Sequence, residues 1–197
     1  MTTISLPFRN RRSGRLNTKS RRKLLVAGLL AVAAWVSAPR VQALDWQAFA
    51  GTGNRHSVNK AGVALVWDPH DALWQGETWQ LRLRHELQLA RWDVPHARDI
   101  YEFGYSPVLR LQRDTGGPWR PFIEASIGVR ALSHTRLSQA TTMSTAFQFS
   151  DTIGAGVRFG NRGRSTIGVR FQHLSNARIK RPNPGINFNQ AYYEQSF

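Results

Sequence analysis

From residue 120 to 132 the chain reads RPFIEASIGVRAL, and its character switches at almost every step. Ile123, Ala125, Ile127, Val129 and Ala131 take the odd positions, and Glu124, Ser126, Gly128 and Arg130 the even ones. Strand side chains alternate between two faces, so a period of two makes one face apolar and one polar; a helix would instead group every third or fourth residue. The alternation recurs at 152–159, where Ile153, Ala155, Val157 and Phe159 oppose Thr152, Gly154, Gly156 and Arg158. At 80–91, Leu81, Leu83, Leu87 and Leu89 oppose Arg82, Arg84, Glu86 and Gln88, and at 165–172 Ile167, Val169 and Phe171 oppose Thr166, Gly168 and Arg170. The pattern predicts eight strands, at 45–54, 60–67, 78–92, 99–113, 119–132, 146–160, 165–175 and 188–197. Turn-forming stretches at 68–69, 114–118, 161–163 and 182–185 separate several of them.

Alternation alone does not say which face is buried. A soluble β-sandwich would bury the apolar face, whereas a membrane barrel turns it to lipid and the polar face inward. The polar face here carries charges of both signs together with glycines, which suits a narrow interior of ion pairs and close backbones. Trp46, Trp67, Trp74, Trp79, Trp92 and Trp119 fall at segment ends or in turns, the distribution of an interfacial girdle. The chain also stops on an expected strand that ends in Phe197, with Tyr193 at the same parity. The expectation is therefore an all-β fold, an eight-stranded antiparallel outer-membrane β-barrel, with the sandwich as the alternative. Eight strands leave a bore that side chains fill, so a chemical site belongs on the outside or at a rim.

Composition sharpens this picture. The formal charge is +15, yet nine of the 27 Lys and Arg lie in residues 1–43, which hold no acid. That segment has a basic start, an apolar run at 24–38 and Val41-Gln42-Ala43 at its end, the layout of a cleaved signal peptide. The expected organisation is a signal peptide at 1–43 and a barrel at 44–197. With much of the excess charge in the leader, nucleic acid is not an expected partner. The chain has no cysteine, and His56, His70, His96 and His134 fall in or near turns without metal-ligand spacing. No metal and no other cofactor are expected.

The chemistry gathers near the C-terminus, in HLSNARIKRPNPG at 173–185. With both termini in the periplasm, the seventh strand runs outward and ends at His173 and Ser175. Both share the odd parity of Ile167, Val169 and Phe171, so they are expected to face lipid near the outer-leaflet headgroups. Polar groups there are costly, which favours function. A serine hydroxyl becomes a useful nucleophile when a histidine accepts its proton, and residues i and i+2 of one strand share a face. Arg178, Lys180 and Arg181 beside them suit the phosphates of lipopolysaccharide. Asp151, of matching parity and level with His173 across the 160–164 turn, is a candidate acid. Glu194 fits less well, because it points inward toward the periplasmic end. His85 also has lipid-facing parity and is read as a locally paired histidine, with a substrate contact as the functional alternative.

His173-Leu174-Ser175-Asn176-Ala177, then Lys180, Pro182-Asn183 and Gly185, resembles the lipid A 3-O-deacylase (PagL) family of outer-membrane barrels. The resemblance extends to the leader and the eight-strand layout. It implies an esterase that hydrolyses the 3-O-linked acyl chain of lipid A in the outer membrane of a Gram-negative bacterium, with its site toward the outer leaflet. Carried over, Ser175 is the nucleophile, His173 the general base and Asn183 part of the oxyanion hole. The family's acid stands fourteen residues after the histidine, following a glycine–hydrophobic pair; here Gly185-Ile186 is followed by Asn187. An amide oxygen can orient an imidazole but cannot offset its positive charge. The resemblance implies Asn187 as the third member, because the glycine–hydrophobic pair fixes the register without a gap, with Asp151 as the alternative. Lipid A is the implied partner, a homo-oligomer is left open, and the competing reading is a non-enzymatic barrel that binds lipopolysaccharide or stabilises the membrane.

Overall fold

The computed structural model describes residues 44–197 except 69, 70, 96 and 115; the expected signal peptide at 1–43, like His70 and His96, lies outside the described residues. The strands are β1 (Asp45–Gly53), β2 (Asn59–Trp67), β3 (Trp74–Gln75), β4 (Trp79–Asp93), β5 (Ile100–Arg113), β6 (Arg120–Leu132), β7 (Phe147–Phe159), β8 (Ser165–Ser175) and β9 (Ile186–Gln195). Eight are long. Each pairs antiparallel with its neighbours, and β1 pairs with β9 to close the ring. The short β3 continues the line of β2 along β4: Trp67 stands opposite His85, and Trp74 opposite Leu81. Closure leaves no long unpaired edge, as a sheet in hydrocarbon requires.

The barrel is inside-out relative to a soluble protein. On β6, Ile123 and Ile127 are 58% and 70% exposed, whereas Glu124 and Arg130 are 5% and 1% exposed. The same holds on β8, with Ile167, Val169 and Phe171 outside and Arg170 and Gln172 inside. The exposed surface is thus an apolar band, which makes this an outer-membrane type of barrel.

Ion pairs fill the interior. Arg170 bridges Glu86 and Glu124, both at 2.6 Å, Arg110 meets Glu124 at 2.9 Å, and Arg84 meets Glu194 at 2.7 Å. Glu194 therefore points inward, as its parity indicates. Higher up, Lys60 pairs with Glu102 at 2.8 Å and sits over the rings of Phe49, Trp92 and Phe188. Unpaired buried charge is costly, so these groups hold their partners tightly. Glycines make room for them: a Cβ on Gly104 would collide with the Arg130 side chain, and one on Gly168 with the Tyr192 ring.

The end remote from Asp45 and Gln195 is capped differently. Val58, Val94, Ile100, Leu132, Leu137, Met143, Leu174 and Ile186 form a buried apolar plug, with Leu137 and Met143 supplied by the long 133–146 connection. The plug fixes which residues of β8 and β9 face outward. Leu174 and Ile186 stand opposite each other and are 0% and 1% exposed, so their neighbours His173, Ser175 and Asn187 must face out.

Three expectations need correction. Trp92 is not part of a girdle: it is fully buried in the barrel, donates Nε1–H to Glu102 at 2.7 Å and packs edge-on against Phe188. Its even number, matching Arg84 and Glu86, required that. The exposed tryptophans Trp46, Trp74, Trp79 and Trp119 gather at the end that carries Asp45 and Gln195, and Tyr101, Phe103 and Phe147 supply aromatic surface at the other. The last strand starts at Ile186 rather than 188 and ends at Gln195, so Phe197 follows the strand instead of closing it. Ladder pairing with β8 begins at Leu174 and Ile186, which extends β9 toward the turn.

Candidate active site

His173 stands between two polar neighbours on the outer face. Across the β7–β8 ladder it is level with Asp151, and across the β8–β9 ladder with Asn187. Its hydrogen bond goes to Asn187: Nδ1 lies 2.6 Å from Oδ1. An amide oxygen only accepts, so Nδ1 carries the proton and the Nε2 lone pair is left as the ring's base. Asp151 is exposed, and among the described residues no ion pair or hydrogen bond joins it to His173. Both candidates are thus level with His173 in the sheet, and the ring's hydrogen bond is made with Asn187.

Ser175 follows on the same face, where β8 ends. Its Oγ accepts a long hydrogen bond of 3.4 Å from the Ala177 N–H and is not hydrogen-bonded to His173. The chain then turns sharply, with Ala177 and Arg178 at φ of 51° and 64°. Two successive non-glycine residues in the left-handed region are uncommon and costly, and such local strain is concentrated at functional sites.

The turn is held by Asn176, which is fully buried. Its side-chain amide donates to Ser144 Oγ and to the Lys180 carbonyl, each at 2.9 Å, while its backbone N–H donates to Asn183 Oδ1 at 3.1 Å. Because an N–H needs an acceptor, this last bond fixes which end of the Asn183 amide is oxygen and leaves Nδ2 as the uncommitted donor. Ser144 Oγ in turn donates to the Lys180 carbonyl at 2.7 Å. The 133–146 connection and the β8–β9 loop are thereby tied together. Asn176 lies inside the quoted motif, but its structural task had no signal in the sequence.

These elements enclose a pocket of about 350 Å³ lined by His173, Ser175, Ala177, Arg178, Asn183, Pro184 and Gly185. Gly185 closes it against the imidazole: its φ is +59°, and a Cβ there would lie 3.1 Å from His173 Cε1. Of the three cations singled out in the sequence, Arg178 lines this pocket, whereas Lys180 and Arg181 are exposed on the same loop outside it.

His85 is elsewhere. It stacks on Trp67 with ring centres 5.3 Å apart, and its Nδ1 lies 2.7 Å from Tyr105 Oη. A local pairing explains it, as expected. Among the described residues no cluster of His, Asp and Glu has the arrangement of a metal site.

Comparison with known proteins places the chain in a family. The sequence model of a family described as lipid A 3-O-deacylase (PagL) matches residues 59–196. The lipid A deacylase PagL of Pseudomonas aeruginosa is 34% identical over 175 residues, covering 88% of this chain and 98% of that protein. The lipid A deacylase PagL of Bordetella bronchiseptica is 35% identical over 123 residues, 62% of this chain and 67% of the relative. A crystal structure of the outer membrane enzyme PagL superposes with a TM-score of 0.71 at 31% identity, covering 78% of this chain and 99% of that one. The N-terminal β-barrel domain of Pseudomonas aeruginosa OprF, at 12% identity and a TM-score of 0.50 over 79% of this chain and 98% of that one, shares the fold alone. With the family model spanning most of the barrel and a relative 34% identical over nearly its whole length, this chain belongs to the lipid A 3-O-deacylase (PagL) family.

Proposed function

We propose that this protein is an outer-membrane esterase that hydrolyses the 3-O-linked acyl chain of lipid A, with Ser175 as nucleophile, His173 as general base and Asn187 as the group that orients the histidine. The observation that carries this reading is the 2.6 Å bond from His173 Nδ1 to Asn187 Oδ1, made on the lipid-facing surface beside Ser175. Ser175 Oγ attacks the ester carbonyl carbon as its proton passes to His173 Nε2. The carbonyl oxygen becomes an oxyanion, and the uncommitted Nδ2 of Asn183 is the donor assigned to it. The intermediate collapses as the protonated imidazole gives its proton to the departing sugar oxygen, leaving an acyl-serine. Water, deprotonated by the same Nε2, then releases the fatty acid.

Ser175 lies at the barrel end remote from Trp46 and Gln195. With the termini in the periplasm, that end meets the outer leaflet. Arg178 in the pocket, and Lys180 and Arg181 beside it, are then placed for the phosphates of lipid A. Asp151 is the alternative acid, but the ring's hydrogen bond favours Asn187.

Mass spectrometry of lipid A incubated with the purified protein tests the reading. Loss of one 3-linked acyl chain, with release of the matching fatty acid, is expected. An unchanged spectrum would favour a barrel that binds lipopolysaccharide without cleaving it.

A further inference from the structure

The β1–β9 ladder runs from Trp46 opposite Gln195 up to Gly53 opposite Phe188. Asn187 lies one residue past the end of that ladder, because β1 turns away after Gly53. Its main-chain N–H and C=O would there be left without strand partners, at a rim where unpaired backbone is costly. Asn54 meets both. Its backbone N–H donates to the Asn187 carbonyl at 2.9 Å, and its side-chain Oδ1 accepts from the Asn187 N–H at 2.9 Å. One asparagine thus supplies, from backbone and side chain together, the donor and acceptor that another residue of β1 would have offered.

This arrangement bears on the imidazole. Because the hydrogen-bonding groups of Asn187 point toward β1, its pairing with His173 on the β8 side is of the non-hydrogen-bonded kind. In such pairs the Cα atoms lie about 4.5 Å apart rather than about 5.5 Å, and side chains meet more closely. A close pair of this kind suits the short His173–Asn187 contact.

We infer that Asn54 is a positioning residue for the reaction: by gripping both main-chain groups of Asn187, it holds the amide that orients His173. This role rests on the assignment of Asn187 proposed above. It makes the β1–β2 turn part of the active site, although that turn lies more than a hundred residues away in sequence from the histidine.

The test uses purified full-length protein and lipid A in mixed micelles, with kcat and KM measured for Asn54→Ala, Asn54→Asp, Asn187→Ala and the Asn54→Ala/Asn187→Ala double variant. Asn54→Ala removes one acceptor, so kcat should fall about tenfold with KM unchanged. Asn54→Asp keeps an oxygen at that position and should restore the rate. In the double variant Asn54→Ala should cost nothing further, because no amide remains to be positioned.

An Asn54→Ala protein at wild-type rate beside an impaired Asn187→Ala would overturn the role of Asn54 alone. So would an Asn54→Asp variant as poor as Asn54→Ala, or losses that multiply in the double variant. A failure of Asn54→Ala to form the closed barrel would make the residue structural and end the proposal as well. Asn187→Ala at wild-type rate would remove the assignment of Asn187, and no activity in the wild type would remove the reaction itself; either takes this role with it.

Discussion

Leu174 and Ile186 face each other across the β8–β9 ladder, and both are buried in the apolar plug at the far end of the barrel. Between them they determine that His173, Ser175 and Asn187 point outward, since neighbouring residues of a strand take opposite faces. Leu174→Ala should therefore act on both fold and site. Removing a buried leucine side chain costs about 2–5 kcal/mol, and urea unfolding of the barrel in detergent should show a loss of that size. Activity should fall in the same variant under conditions where it remains folded.

Ser175→Ala should abolish deacylation and leave the barrel intact. The side chain is small and only partly buried, and its one hydrogen bond is long. Mass spectrometry of lipid A reads the activity, and the shift in gel mobility on heating reads the closed barrel. His173→Asn should behave alike, because among the described residues no other histidine lines the pocket. Retained activity in Ser175→Ala would refute the nucleophile.

The third member is decided by three rates on one substrate. Asn187→Glu should keep or raise activity, since a carboxylate accepts the same Nδ1 proton and also offsets the imidazolium charge. Asn187→Ala should lower activity, and Asp151→Asn should do little, because Asp151 shares no hydrogen bond with the ring. A loss on the order of 10⁴-fold in Asp151→Asn, the size seen where a triad aspartate becomes asparagine, would transfer the role to Asp151.

Asn183→Ala should reduce kcat by about 10²–10³-fold, the usual cost of removing one oxyanion donor, with a much smaller change in KM. Asn183→Asp should be as poor: the acceptor for Asn176 N–H survives, but the donor does not. Restoration of the rate by aspartate would mean that Asn183 serves only the loop.

Much of this molecule is legible in its sequence because the period of a strand is short and local. Six residues of β6 already reveal two faces, and the identity of those faces (charges with glycines, or leucines with isoleucines) reveals which one meets lipid. Trp92 was legible too, by parity, but its position near a strand end suggested a girdle instead. Ile186 and Phe188 carried the alternation that starts β9 early, yet the glycine and prolines just before them read as turn. Pairing between distant strands is a different matter. Nothing local says that Asn54 reaches Asn187, or that Asn176 grips Ser144, because these contacts depend on register accumulated around the whole ring. The choice between Asn187 and Asp151 was of the same kind: both are level with His173, and only side-chain geometry separates them.

Among the described residues, ion pairs pack the interior and an apolar plug is buried at one end. On the function proposed above, the site lies on the outer wall, and its substrate reaches it already dissolved in the leaflet. The encounter is a search in two dimensions, and the relevant concentration is the mole fraction of lipid A among its neighbours, not an amount per volume. Diluting such an enzyme and its substrate together with inert amphiphile should slow turnover even when the bulk concentration of each is held constant. Both products are amphiphiles as well and depart sideways, so their build-up in the same sheet competes directly with fresh substrate at the wall.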